Sequence, residues 1–490
     1  MNQGFYVTTS IPYVNSEPHI GFGMELVYGD VLARYARQRK VPTLFATGTD
    51  EHGGKIAEKA DEQNMTPQEF ADQMSQSFKE LLKTLNISSD RFIRTTDAEH
   101  EKRAQIIWQN LKGYIQKGQY SGWYCTGDEA FFPEAVVKAN KGVCPAHNRP
   151  YEQIEEENYF FKLSAFTPKI KQLIETDQLK VVPETRKHEI LAVVNSGLED
   201  ISISRPKDKI AWGIPVPGDD SQVMYVWFEA LMNYITVLGY PDGADFKNFW
   251  PANVQIIGKD ILRFHAAIWP AMLMGLGIPA PKTLYVHGFV NVDGKKMSKT
   301  LGNVVQPAEI VDKYGADTFR YFFARHIPSN TDGDFTWSRL ESAYNDELAD
   351  QLGNAVSRVA AMVTKYQNGL IGDIPAPEHD IDSYKRAIEG CRFDHALDEV
   401  WEQVRGLNQY IDEAKPWEIA KTKDEQHMQE VLSYLAANLL EIASLLAPFM
   451  PDTAQKIYTA FGSGVLKPLP GPLFPKEAKQ SDVQLPTSNV

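Results

Sequence analysis

The chain reads as an α/β protein: a split, Rossmann-type parallel sheet carrying an inserted connective domain, followed by an all-α helical bundle. Three observations predict this. Over the first ~110 residues, short apolar runs alternate with longer amphipathic stretches, as a parallel sheet with crossover helices requires. The pattern breaks from residue 115 to 204, where short aromatic segments, turn signals and two of the three cysteines crowd together, and then resumes. Beyond residue 338, apolar residues recur at helical spacing over long stretches, Leu432 to Leu446 among them.

Each element follows from its local pattern. Phe5 to Thr9 reads as a strand, Gly23 to Arg39 as an amphipathic helix and Pro42 to Thr47 as a second strand. That strand runs into the polar segment Gly48-Thr49-Asp50-Glu51-His52-Gly53-Gly54. Polar residues at the carboxyl end of such a strand lie where open α/β sheets bind ligands. After the interruption, Val223 to Trp227, Val254 to Gly258 and Thr283 to Gly288 carry the α/β pattern on. The expected divisions are 1–114 and 205–337 for the two halves of the sheet domain, 115–204 for the insertion and 338–466 for the helical domain. Residues 467–490 are rich in proline and poor in large apolar side chains, which predicts an extended strap that frays at its end.

Bulk properties narrow the function classes. A length of 490 residues suits about three domains. With 43% hydrophobic and 23% charged residues the composition is that of an ordinary soluble protein. No apolar run reaches the roughly 18 residues of a membrane span, so no membrane partner is expected. Met1-Asn2-Gln3-Gly4 runs straight into the first strand, leaving no room for a targeting segment. Three cysteines cannot build a disulfide framework, so the expected compartment is the reducing cytoplasm. A formal charge of -14 argues against a general nucleic-acid coat protein. It leaves room for one specific RNA partner held by local basic patches.

Two segments carry phosphate chemistry. In Pro18-His19-Ile20-Gly21-Phe22 the histidine offers a ring donor, and the glycine lets backbone approach an anion at a helix start. In Lys296-Met297-Ser298-Lys299-Thr300 two ammonium groups can meet one polyphosphate, and the flanking Gly294 and Gly302 suit a loop that moves. Neither is a Walker A loop or a Gly-x-Gly-x-x-Gly fingerprint. Alone, the first reads equally as an ordinary strand-to-helix turn and the second as a solvated basic loop. In order on one chain, they point to one nucleoside triphosphate.

With Thr49-Asp50-Glu51-His52-Gly53, Trp227-Phe228-Glu229-Ala230-Leu231-Met232-Asn233-Tyr234 and Gly258-Lys259-Asp260 followed by His265, this ordered set resembles the class I aminoacyl-tRNA synthetases, and within them the methionyl-tRNA synthetase family. The likeness runs from about residue 4 to 460. It implies ATP-dependent ligation of L-methionine to tRNA(Met), initiator and elongator, through methionyl-adenylate, by a monomer that uses ATP with Mg2+. By match to the motifs, the resemblance assigns catalysis to His19 and Lys299. It assigns ATP binding to His19, Gly21, Gly258, Asp260, Lys296 and Lys299. Methionine would be held by Ile11, Tyr13, Asp50, Trp227, Ala230, Leu231, Tyr234, Ile261 and His265, with Asp50 facing the ammonium group. A polarisable thioether suits aromatic edges. Arg205 is a weaker candidate for a supporting charge.

The resemblance further assigns anticodon reading to Asn354, Arg358 and Trp417. The first two stand four apart on one helix face, and the third offers a stacking plane. It implies one structural Zn2+ on Cys125, Asp128, Cys144 and His147, with Asp128 where zinc-bearing relatives place a cysteine. One departure falls on the first signature. Its last position, usually histidine, is Phe22, which cannot donate a hydrogen bond.

Overall fold

The computed structural model describes residues 4–476 except 128–129, 133, 147, 299–301 and 377–378. The chain divides into two compact units. The first comprises residues up to 289 with 304–308 and 330–332, and the second the remainder.

The first unit is built on a six-stranded sheet. In chain order its strands are β1 (Phe5–Thr8), β2 (Thr43–Thr49), β3 (Arg91–Arg94), β4 (Lys180–Val182), β5 (Val254–Gly258) and β6 (Thr283–His287). Their spatial order is β3-β2-β1-β5-β6-β4, and every pairing is parallel. Val7 pairs with Phe45 on one side and Val254 on the other. The order therefore reverses between β1 and β5, and ligands of open α/β sheets bind in the crevice at such a point. The strands read as continuous apolar runs because both sheet faces are covered: all five residues of β5 are buried.

The crossover from β1 is α1 (Ile20–Gln38), read from the sequence as amphipathic but buried almost all round, Glu25 and Asp30 included. The helix Pro67–Thr84 opens with a capping box between Thr66 and Glu69 and a proline in its first turn. One core joins Tyr6, Trp108, Phe228, Trp269 and Leu284.

The interruption at residue 115 is an antiparallel sheet in which Ile115–Cys125 pairs with Glu152–Phe161. Two stretches differ from their sequence reading. Lys180–Val182, inside the expected insertion, is a strand of the main sheet beside β6. Three residues are too few to display a period. Val223 to Trp227 is no strand of that sheet: Asp219–Met224 joins a separate three-stranded antiparallel sheet, and Val226–Ala230 is helical.

In the second unit, Val290–Val292 and Lys295–Lys296 form a hairpin. Its two-residue turn, Asp293-Gly294, has φ of 51° and 72°, the paired positive values of a type I′ turn. Gly294 therefore serves the turn rather than a hinge. Among the described residues, the longest α-helices of this unit are α2 (Asn354–Gln367), α3 (Phe393–Ala414), α4 (Glu425–Leu446) and α5 (Pro451–Phe461). The preceding helix Ala316–Arg325 serves the α4–α5 corner. Buried Arg320 donates to the carbonyls of Pro448 and Phe449, and Asp317 accepts the Thr453 amide in the first turn of α5. The described part of the strap returns to its own unit, where Phe474 meets Tyr344 edge to face and the Tyr344 hydroxyl donates to the Pro475 carbonyl. Among the described residues no helix is long and apolar enough to cross a membrane.

Candidate active site

The first signature follows β1 and starts α1. His19 is the N-cap, with its backbone extended, and its Nδ1 accepts the Gly21 amide at 3.1 Å. That bond sets the tautomer: the ring proton sits on Nε2 and is available to donate. Burial lowers the His19 pKa, opposed by the Asp260 carboxylate, so the ring is neutral at pH 7. The start of α1 is not an open anion cradle. The Ile20 amide goes to the Val305 carbonyl, that of Gly21 to His19, and those of Phe22 and Gly23 to the His19 carbonyl. Gly21 thus orients the imidazole instead of handing an amide to phosphate. Phe22 turns inward and meets the Phe78 ring edge to face at 5.5 Å.

Asp50 follows β2 and is buried. Its amide donates to the Pro12 carbonyl and its carbonyl accepts the Val14 amide, so Tyr13 and Asp50 stand side by side. Tyr234 and His265 form a second pair: the tyrosine hydroxyl lies 2.7 Å from Nε2, and Nδ1 lies 3.0 Å from the Ile261 carbonyl. A carbonyl only accepts, so Nδ1 carries the proton and Tyr234 donates to Nε2. Burial pushes the His265 pKa down to about 4, against the pull of the Ile261 carbonyl and Glu25. Burial pushes the Tyr234 hydroxyl far up, with the charges of Glu25 and Asp50 adding to it. Asp50, Tyr234 and His265 therefore share one electrostatic environment. Trp227 meets Phe264 at 4.4 Å on the same segments, and Ala230 and Leu231 are buried beside it. At Gly258, the last residue of β5, a Cβ would lie 2.6 Å from Asp260 Oδ1, so a side chain there would displace that carboxylate.

Several buried charged residues here went unread in the sequence. Glu25 accepts the Ser10 amide and pairs with His287 at 2.9 Å. His287 also donates to the Gly288 carbonyl, so both ring nitrogens donate and it stands as an imidazolium. Burial opposes that charge, and Glu25 outweighs it to raise the His287 pKa. Glu51 is fully buried and holds Arg94 through both oxygens. A carboxylate inside the apolar run from Phe22 to Leu32 was the available signal for Glu25. Arg205 is committed elsewhere: it donates to Ser202 and the Ser204 carbonyl and lies 4.3 Å over the Tyr225 ring.

The remaining expected residues stand on other segments, Lys296, Asn354, Arg358 and Trp417 in the second unit. Lys296 is exposed at the end of the hairpin in the second unit, where Asn303 braces the loop by accepting the Ser298 amide and donating to the Lys296 carbonyl. Lys299 lies outside the described residues. On α2, Asn354 is exposed, and Arg358 pairs with Asp412 at 2.6 Å. Asp412 is near the end of α3, whose continuation Pro416–Thr422 presents Trp417, 39% exposed. Cys125 and Cys144 are buried in one small cluster with Val137 and Tyr151. Asp128 and His147 lie outside the described residues, and among the described ones no group of three potential ligands could hold a metal ion.

A doubly wound sheet with a histidine N-cap at its switch point, a downstream Lys-Met-Ser-Lys loop and a helical continuation define a class I aminoacyl-tRNA synthetase. The model for "tRNA synthetases class I (M)" matches residues 5–153 and 146–360, and that for "Anticodon binding domain of methionyl tRNA ligase" matches 360–471. The chain belongs to the methionyl-tRNA synthetase family. It is 43% identical to the methionine--tRNA ligase of Caldanaerobacter subterraneus over 94% of this chain and 74% of that one. Against the Rickettsia bellii enzyme the identity is 41%, over 94% and 93%. The Mycobacterium tuberculosis methionyl-tRNA synthetase solved with methionyl-adenylate superposes with a TM-score of 0.89 at 34% identity, covering 97% of this chain and 100% of that chain.

Proposed function

We infer that the chain ligates L-methionine to tRNA(Met) with ATP, through methionyl-adenylate, releasing AMP and pyrophosphate. What supports this is the gathering, at the carboxyl ends of β1, β2 and β5, of a neutral donor histidine, buried Asp50 and the buried Tyr234–His265 pair. In the first step the methionine carboxylate attacks the α-phosphorus in line, so the protein's work is positioning and charge stabilisation. His19 donates its Nε2 proton to a phosphate oxygen. Lys296 and Lys299 each offer an ammonium to the triphosphate, which enters as its Mg2+ complex, and Gly258 and Asp260 receive the nucleotide. Asp50 holds the substrate ammonium, while Ile11, Tyr13, Trp227, Ala230, Leu231, Tyr234, Ile261 and His265 enclose the thioether. In the second step the terminal ribose hydroxyl of tRNA attacks the adenylate.

Asn354, Arg358 and Trp417 read the anticodon of initiator and elongator tRNA alike, and the exposure of Trp417 favours base stacking over a packing role. The enzyme works as a cytoplasmic monomer. The buried thiols of Cys125 and Cys144 fit two positions of a structural Zn2+ site, with Asp128 and His147 to complete it. ATP–pyrophosphate exchange tests the reading: exchange should depend on methionine. Dependence on leucine, isoleucine, valine or cysteine instead would assign a sibling ligase, and no exchange with any amino acid a silent tRNA-binding paralogue.

A further inference from the structure

Glu229 is fully buried on the short helix that also bears Trp227 and Ala230. Each of its oxygens takes one imidazole: Oε1 lies 2.8 Å from His52 Nδ1, and Oε2 lies 2.9 Å from His100 Nε2. His100 turns its Nδ1 to the Thr236 hydroxyl at 2.8 Å. His52 also reaches the Glu101 carboxylate at 3.5 Å through Nε2 and stands as an imidazolium. It sits two residues after Asp50, in a loop clamped from a third side by Trp212. The Trp212 indole donates to the Glu51 carbonyl, its carbonyl accepts the Gly53 amide, and its ring lies 5.4 Å from that of His52. Three segments far apart in sequence, those of residues 50–53, 98–110 and 226–236, thus meet at one carboxylate.

Stability alone does not account for this arrangement. A buried ion pair can often be replaced by apolar side chains without loss, whereas a fixed charge with two hydrogen-bonded partners specifies one geometry. The group that receives the substrate ammonium and the wall that receives its side chain stand on two different segments. Glu229 joins them. We propose that Glu229 is the positioning residue of the methionine pocket: by holding His52 and His100 at once, it sets the spacing between Asp50 and the wall of Trp227, Ala230 and Leu231. It contacts no substrate, and it governs methionine affinity and the discrimination of side-chain length. This rests on the pocket assignment above.

The test is methionine-dependent ATP–pyrophosphate exchange by wild type, Glu229→Gln and Asp50→Asn, with KM for each substrate and kcat measured separately. The amide of Glu229→Gln keeps the shape and turns a donor toward one imidazole. Methionine KM should rise about tenfold, equivalent to ~1.4 kcal/mol, with ATP KM and kcat within about twofold. Exchange with ethionine, whose side chain is one methylene longer, should rise relative to methionine. Asp50→Asn should raise methionine KM by a larger factor. Should Glu229→Gln not fold, His100→Gln, which leaves the His52 pair intact, is measured in the same way with the same expected split. Unchanged methionine KM and ethionine ratio, or methionine and ATP KM rising together, overturns the positioning role. No effect of Asp50→Asn overturns the pocket assignment first, and this inference with it.

Discussion

Tyr234→Phe removes one oxygen from the proposed methionine pocket, and its cost can be worked from the structure. The hydroxyl is the donor to His265 Nε2 at 2.7 Å, because Nδ1 spends its proton on the Ile261 carbonyl at 3.0 Å. Both side chains are buried, so water does not replace the lost donor. The imidazole has three responses. Protonation is the costliest: burial holds its pKa at about 4, so charging it at pH 7 requires about 4 kcal/mol at ~1.4 kcal/mol per unit. Switching tautomer gives up the Ile261 bond, and staying as it is leaves Nε2 without a donor. Either leaves one buried polar group unsatisfied, which costs about 1–3 kcal/mol. The folded chain should therefore melt a few degrees lower by differential scanning calorimetry. Methionine KM in pyrophosphate exchange should rise roughly tenfold while ATP KM stays level. An unchanged melting temperature together with an unchanged methionine KM would refute the reasoning. So would a rise confined to ATP KM.

Four further outcomes follow from the same geometry. Trp417→Ala should weaken tRNA(Met) binding by about 1–3 kcal/mol in filter binding and leave adenylate formation intact. Phe22→His restores the usual signature residue but places an imidazole against the Phe78 edge. It should lower the melting temperature, by about 1–3 kcal/mol if no partner is found, without lowering ATP KM. The His52 pKa is raised from its ordinary value to about 10, with Glu229 and Glu101 outweighing burial. Its stabilising contribution is thus complete below pH ~6.5 and lost as pH rises toward 10, so the melting temperature should fall over that alkaline range and His52→Gln should flatten the fall. Homocysteine differs from methionine by one methyl, worth only ~1–3 kcal/mol of discrimination, so its misactivation should be detectable by adenylate consumption at a sensitivity of about one part in ten thousand.

The strands β1, β2, β5 and β6 were legible as apolar runs, and the helix α4 by its long helical spacing of apolar residues. Lys180–Val182 was not, and Val223 to Trp227 misled because an apolar run does not say which sheet it joins. Among the site residues, His19, Asp50, Tyr234 and His265 stood out through motif order. Glu25, Glu51, His287 and the His52–Glu229–His100 link did not, since their partners lie too far along the chain for any local pattern to join them. Glu25 and His287 are 262 residues apart, and His52 and Glu229 are 177 apart.

The sequence by itself determined the architecture and the chemistry on offer: a parallel sheet, a histidine at its first crossover, a lysine loop and a helical domain bearing Trp417. Only the tertiary structure decided how those groups are charged and aimed. A ring's tautomer follows from which neighbour can only accept, as the Ile261 carbonyl does for His265. A buried carboxylate's state follows from which cations reach it, as His52 reaches Glu229. The signature reads differently for the same reason. Its glycine amide is turned back on His19, and Phe22 packs into the core against Phe78. Hydrogen-bond partners and burial are properties of three-dimensional neighbourhood, and no local stretch of chain carries them.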